Sequence, residues 1–581
     1  MTAATAHRGD SSRHRENTLA AIRSAADAGA RTVEVDVHVT RDGQVVLVHD
    51  DTLERLWGVD ARVAGLDLAD VRALGGGDLR IPLLADALEL LAGTDVELVI
   101  DMASGDPAAA AHAVVQAAPR TPRVAWCGHL DGMRLIRELD PAAVIWLPWA
   151  DPQPPTADDL AELRPAVVNM PHLVVGRALV DAVHALGARV AAWTVDEPAQ
   201  MEWLASMGVD AITTNELATL LDVLARREAD PAAADARATA PASERTRARA
   251  AARDLAARAV HHVRSHEVGA VTTKANPADH VTEIDRAVER DVRAVVGAQF
   301  PHHVLVGEEY GGEAVPGRAC WYLDPVDGTA NLANGVPWTS FSLALVVDGE
   351  PVVGVVADPW RGTVVEAAAG EGAWSAGARL DLRATPGGVH APDADPLRGR
   401  MVSTELAGHA PWPGMLPLLD ALAARWCTLR IMGSGTLTVA GIALGHGAGA
   451  VIGAFGPVDH LAATLIVREA GGVVLDADGE DTLFPASGGV LAARDRPTAL
   501  ALHALWRAGI VEAASVALAT TERLARRPRR PRRPAGRGRR RAGRRAPARR
   551  ARPGGGRWIR RGRATSRPAG SRAGWRCRRP A

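Results

Sequence analysis

The sequence predicts an α/β chain: an N-terminal (β/α)8 barrel, a layered α/β domain and a disordered Arg-rich tail. Three observations lead there. Over 1–227, eight short β-rich runs alternate with Ala- and Leu-rich amphipathic stretches. From about 244 the order changes to one long helical stretch followed by mixed strands and helices. From Arg523 onward the chain holds 25 arginines and no acidic residue.

The eight barrel strands are expected at 2–6, 32–39, 96–101, 123–127, 143–147, 166–169, 189–194 and 210–214. The run 44–49 folds back on the second strand through Arg41-Asp42-Gly43. The stretch 228–243, EADPAAADARATAPAS, lacks apolar periodicity and reads as a linker. The second domain, 244–512, opens with a helical stretch at 244–265. The apolar run 436–455 contains His446 and several glycines, so it reads as a buried helix and strand and not as a membrane span. The tail, 513–581, is too rich in Arg, Pro and Gly to bury a core.

At 581 residues the chain is long enough for three or four domains. Apolar residues make up 47% and aromatics only 4%, so small aliphatics must build the cores. The net charge of −1 conceals an acidic body, with 42 basic against 68 acidic residues before Arg523. Such a body repels phosphates in bulk, and bound metals would have to supply the local positive field. Cys127, Cys320, Cys427 and Cys577 show no CxxC spacing, which points to reduced thiols and a cytoplasmic protein. The opening MTAATAHRGD has no signal-peptide apolar stretch.

The strand TVEVDVHVT (32–40) places Val33, Val35, Val37 and Val39 on one face and Glu34, Asp36 and His38 on the other. By itself that acidic face is most often simply wetted by solvent. Strand ends elsewhere in the same region add His7-Arg8-Gly9, His49-Asp50 and Asp101. Function on such a barrel sits at the carboxyl ends of its strands. Carboxylates converging from separate strands repel unless a hard divalent cation lies between them. Two histidines can then act as acid and base, and Arg8 can hold a phosphate.

The run HRG…ENT…VEVDVHVTRDGQVVLVHD resembles the glycerophosphodiester phosphodiesterases. The likeness extends to Ile81-Pro82-Leu83, Trp193-Thr194-Val195 and Thr213-Thr214-Asn215. It implies hydrolysis of glycerophosphodiesters by a TIM barrel, with His7 and His49 as acid and base. Glu34, Asp36 and Asp101 would bind one Mg²⁺ or Ca²⁺. Two positions depart from the family pattern: Asp101 replaces a Glu, and Ala103 replaces a Lys.

In the second domain, CWYLDPVDGTAN carries Asp324 and Asp327 on a turn bent by Pro325 and tightened by Gly328. Two such carboxylates suit Mg²⁺. The N–H groups of Gly328 and Thr329 would face a phosphate if they open a helix. Glu308 and Glu309 lie after one strand, Asp285 lies upstream, and Asp459 precedes an Ala-rich helix. Lys274 is the only lysine in the chain and a candidate substrate contact.

This ensemble resembles the inositol monophosphatase family over 244–512. The resemblance implies Glu308, Asp324, Asp327, Asp459 and the Val326 carbonyl as ligands of two Mg²⁺ ions. Asp285 would help hold a third. Thr329 with Glu308 would position the attacking water, and Gly433 and Ser434 would contact substrate. Val458 stands where the family has Trp, and Ile452 where inositol-specific members have Glu, so the phosphomonoester is left open. Histidinol phosphate, a bisphosphorylated sugar and a phosphoadenosine nucleotide are alternatives.

The leading expectation is a bifunctional phosphoester hydrolase acting on small phosphodiesters and phosphomonoesters. The alternative is an active phosphatase with a degenerate, ligand-binding barrel. Expected partners are a homodimer mate through the second domain and, through the tail, non-specific nucleic acid or anionic membrane. A blander reading of the tail is GC-rich coding sequence without a role.

Overall fold

Eight parallel strands close into a barrel: Ala3–Ala6, Thr32–Val39, Glu97–Met102, Arg123–Gly128, Val144–Pro148, Val167–Pro171, Arg189–Trp193 and Ala211–Thr214. The first pairs with the last (Ala3 beside Ala211) and with the second (Thr5 beside Thr32), which completes the ring. All eight coincide with the expected runs to within two residues. The computed structural model describes residues 1–265, 271–273, 280–384, 395–485 and 488–525, with side chains up to 515.

The alternation in Thr32–Val39 resolves as two different environments. Val33, Val35 and Val37 join the apolar layer between strands and helices, with Ile22, Leu84 and Leu88. Glu34 and Asp36 therefore face the other way, into the barrel. That interior is filled largely by small residues (Val99, Ala125, Cys127, Val167, Ala191, Ala211) around Trp146. The hairpin strand Val45–Leu47 pairs antiparallel with Val37–Val39. Gly43 sits at φ 79° in its turn, where a side chain would be strained.

The segment expected as a linker differs from that reading. Asp230 caps a helix over Pro231–Ala238 by accepting the Ala233 N–H at 3.0 Å, and Ala234 and Ala238 are buried. Asp followed by Pro is a helix-start signal, and alanine has the highest helix propensity. The alanine face packs on the barrel helix Pro198–Ser206.

The second domain is an α-β-α-β-α stack. Its first sheet has seven strands in chain order, from Val304–Gly307 through Cys320–Asp327, Ser340–Val347 and Glu350–Asp358 to Ala378–Leu380. The helices Pro241–Ser265 and Glu283–Gln299 cover one face. Gly435–Ala443 and Pro457–Glu469 lie between this sheet and a five-stranded sheet. Met415–Ala423 and Arg496–Ala525 close the far side. The run 436–455 forms the buried helix Gly435–Ala443 and the strand Gly449–Ile452. Among the described residues, no helix is long and apolar enough to cross a membrane. The last helix continues to Ala525, beyond the expected tail boundary at 513, and the rest of the Arg-rich tail lies outside the described residues.

Candidate active sites

The first cluster is assembled by strand register. Asp36 sits directly beside Asp101 on the adjacent parallel strand, and Glu34 sits two residues earlier on the same face. Burial, reinforced by Asp36 and Asp101, raises the Glu34 carboxyl well above its ordinary range. Burial and Asp36 likewise push Asp101 up to about 6.

The motifs around the cluster hold it in place. Arg8, at φ 60°, donates its backbone N–H to Glu34 at 3.0 Å. The Asn17 side chain donates to Asp36 Oδ2 at 2.8 Å and accepts the Asp36 N–H at 3.1 Å. Thr18 caps the next helix by accepting the Ala21 N–H. Arg8, expected to hold a phosphate, is anchored by two carboxylates. Its guanidinium lies 2.9 Å from Glu16 and 3.1 Å from Asp36, so it neutralises part of the cluster.

The two histidines are oriented differently. His7 Nδ1 lies 2.7 Å from Asn215 Oδ1, and Asn215 is itself fixed because its amide N–H donates to Asp196 at 2.8 Å. An amide oxygen only accepts, so Nδ1 carries the ring proton and Nε2 presents a lone pair. Nε2 points toward Glu34, at 3.9 Å. Burial, aided by Arg8, lowers the His7 pKa and so favours the neutral ring. His49 Nδ1 lies 2.7 Å from Asp50 Oδ1. Asp50 is held ionised at about 2, first by Arg55 and then by His49. Asn215, Asp196 and Arg55 were not singled out from sequence, although Asn215 closes the Thr213-Thr214-Asn215 motif. Ala103 is exposed, two residues past Asp101.

The second cluster grows from an irregular strand. The pairing of Cys320–Asp327 with Ser340–Val347 shifts register between Asp324 and Asp327. Asp324 accepts the Val326 N–H at 2.9 Å, and Gly328 (φ 88°) turns the chain into the short helix Thr329–Ala333. A Cβ on Gly328 would lie 2.8 Å from the Gly433 carbonyl, so the two site loops touch at a point where only glycine fits. Burial raises Asp324 well above its ordinary value, reinforced by Glu308, Asp327 and Asp459, and Asp324 shares a hydrogen bond with Glu308. Asp327 Oδ2 accepts from the Ser434 hydroxyl and the Thr436 N–H, both at 2.7 Å. Ser434 thus binds an expected metal ligand while also capping the helix Gly435–Ala443.

Asp285 is fully buried and both its oxygens are engaged. One is 3.0 Å from Thr329 Oγ1, and the other accepts the Thr282 N–H at 2.9 Å and the Thr282 hydroxyl. Thr329 Oγ1 also lies 2.8 Å from the Val326 carbonyl. Two supporting acids were not found from sequence. Glu289, fully buried, accepts the N–H groups of Glu309 at 2.8 Å and Tyr310 at 3.1 Å, which shapes the loop carrying Glu308. Glu405 accepts the N–H groups of Met432 at 3.1 Å and Gly433 at 2.8 Å, and the Thr438 hydroxyl at 2.6 Å. Each partner lies 20 or more residues away, so no local pattern signals either role. Lys274 lies outside the described residues.

A cavity of about 460 Å³ opens on Asp327 and Asp459. Ile431, Ile452, Phe455 and Leu406 line its apolar wall, with His460 beside them. Burial holds the His460 pKa down to about 4. Among the described residues, no three acidic, histidine or cysteine side chains already converge on a single point as a closed metal cage. What favours a cation at each cluster is the donor chemistry: buried carboxyls, Glu34 in one and Asp324 in the other, whose ionisation is opposed by the carboxylates beside them.

A model of the glycerophosphoryl diester phosphodiesterase family matches residues 7–219, and one of the inositol monophosphatase family matches residues 242–509. Nus factor SuhB of Pasteurella multocida is 33% identical over 228 residues, covering 39% of this chain and 82% of that protein. Inositol-1-monophosphatase ImpA of Mycolicibacterium smegmatis is 34% identical over 231 residues, covering 39% and 81%. A solved Oleispira antarctica phosphodiesterase in complex with sn-glycerol-3-phosphate aligns at 22% identity and a TM-score of 0.37, covering 39% of this chain and 97% of that one.

Proposed function

Because the chain belongs over 242–509 to the inositol monophosphatase family, and residues 7–219 match the model of the glycerophosphoryl diester phosphodiesterase family, we propose that it is a bifunctional, metal-dependent phosphoester hydrolase. Its barrel cleaves glycerophosphodiesters and its layered domain cleaves a small phosphomonoester. The observation that carries this reading is the pair of buried acidic clusters, each with its own proton-handling groups.

Divalent cations held by Glu34, Asp36 and Asp101, and by Glu308, Asp324, Asp327, Asp459 and the Val326 carbonyl, would supply Lewis-acid polarisation of the phosphoryl groups. The inositol monophosphatase family is generally Mg²⁺-dependent; for the barrel, Mg²⁺ or Ca²⁺ suits the all-oxygen donors. In the barrel, neutral His7 takes the proton from the attacking oxygen through Nε2. His49, backed by ionised Asp50, delivers a proton to the leaving alkoxide. In the layered domain, Thr329 and Glu308 orient the attacking water, and Asp285 acts by holding Thr329. Gly328 and Thr329 offer backbone N–H groups to the phosphate, while Gly433, its N–H held by Glu405, and Ser434, its hydroxyl held by Asp327, shape the loop beside it. The apolar cavity wall at Ile452 and Phe455 supports an alcohol less polar than inositol.

Thr329→Ala is expected to lower monoester turnover about 100-fold, and Thr329→Ser to restore most of it. Steady-state phosphate release measures both, and equal loss in the two variants would contradict the role of the hydroxyl. At the barrel, Ala103→Lys is expected to raise kcat/KM for glycerophosphodiesters about tenfold by adding a cation beside the phosphate. No gain would mean that the missing lysine is not what limits this site. The pairing of activities fits a sequential route, in which the monoester released by the barrel is taken up by the phosphatase. Chromatography of a glycerophosphodiester digest tests the whole reading, and monoester followed by free phosphate is the expected product series.

A further inference from the structure

The helix Glu283–Gln299 reaches both the phosphatase cluster and the barrel. Asp285, Glu289, Val292, Val296 and Gln299 are all buried, at spacings of four, three, four and three, so they form one continuous face. At its start Asp285 holds Thr329, and one turn later Glu289 holds the N–H groups of Glu309 and Tyr310. Its other end, roughly 21 Å away at 1.5 Å per residue, is embedded in the barrel.

That end is built to one register. The Gln299 amide nitrogen donates to the carbonyls of His172 and Val175, both at 2.8 Å. Its amide oxygen accepts from Gln200 at 2.8 Å, and both glutamines are buried. A Cβ on Gly176 would lie 2.8 Å from the Ala298 carbonyl, so barrel and helix meet backbone to backbone. Leu173 of the barrel is part of the second domain's own apolar cluster. Beside it, Arg247 lies 4.5 Å from the Trp203 ring of the barrel and 5.3 Å from Phe300. Sliding domains need a wet or featureless seam. This seam buries paired amides whose hydrogen bonds are made in only one position.

We propose that the barrel is a positioning element of the phosphatase site, with Gln299 and Gly176 setting the register of the helix that presents Asp285 and Glu289. For its consequence in catalysis this rests on the phosphatase reading above; the coupling itself does not. Two full-length variants test it. Gln299→Ala removes the three amide bonds. Gly176→Ala keeps them and only wedges the helix end, since the backbone there, at φ −130°, accepts a side chain without strain.

Hydrogen–deuterium exchange at Glu309 and Tyr310 is read alongside kcat and KM for both ester classes. The expected result is about tenfold faster exchange at these two amides in both variants. Monoester kcat should fall about tenfold at nearly constant KM, with diester turnover unchanged. Faster exchange confined to 172–176 and 296–300, with wild-type rates at Glu309 and Tyr310, would overturn the proposal. If the wild-type chain released no phosphate from monoesters, the site reading would fail, while the exchange rates would still decide the coupling.

Discussion

Asp324→Asn is expected to abolish monoester hydrolysis, by about a thousandfold or more, while leaving diester hydrolysis at the wild-type rate. The side chain is buried and keeps its local bond, because an amide oxygen also accepts the Val326 N–H. What is lost is one negative charge in a cluster where Glu308, Asp327 and Asp459 already oppose its ionisation. Without that charge the site has less with which to hold a divalent cation. The same change should raise the melting temperature of chelator-treated protein, since a buried, repelling carboxylate costs stability in the absence of a counter-ion. Loss of activity together with gain of stability distinguishes a metal ligand from a structural aspartate, whose removal would lower both. Parallel phosphate-release assays and thermal melts in chelator measure the two effects.

His7→Ala is the counterpart in the barrel. Proton transfer by a positioned side chain is worth about 10²–10⁴-fold, and loss of diester turnover in that range is expected. The ring is held by Asn215, which is held in turn by Asp196, so its lone pair is aimed before substrate arrives. Asn215→Ala should therefore reproduce part of the loss without touching the reacting atoms. Monoester turnover in both variants should match the wild type. A His7→Ala enzyme that retained full diester activity would remove His7 from the chemistry.

Much of the fold was legible because two short-range signals were strong. Valines at every second position marked Thr32–Val39, and Asp42-Gly43 marked the hairpin that follows it. The acidic face of that strand was equally legible, since period two alone separates Glu34 and Asp36 from the valines. The alanine-rich stretch at 231–238 was read as a linker because alanine gives no apolar periodicity, although Asp230-Pro231 was a helix-start signal in plain view. Supporting residues were not legible. Glu289 reaches a loop 20 residues on, and the Asp285–Thr329 bond spans 44 residues. The Gln200–Gln299 pair spans 99 and joins two domains. Such contacts are set by tertiary packing, and a buried Gln or Glu looks locally like any surface residue. Arg8 illustrates the converse. Its motif was recognised, but its engagement by Glu16 and Asp36 depended on where two other elements lie.

The most direct measurement follows ³¹P NMR of a glycerophosphodiester incubated with the full-length chain and Mg²⁺, with chelator, Asp324→Asn and Glu34→Gln as parallel samples. Wild type should convert diester to monoester and then to inorganic phosphate. Asp324→Asn should stop at the monoester, Glu34→Gln should leave the diester intact, and chelator should stop both steps. Turnover that persisted in chelator, or a diester left untouched by the wild-type chain, would contradict the account.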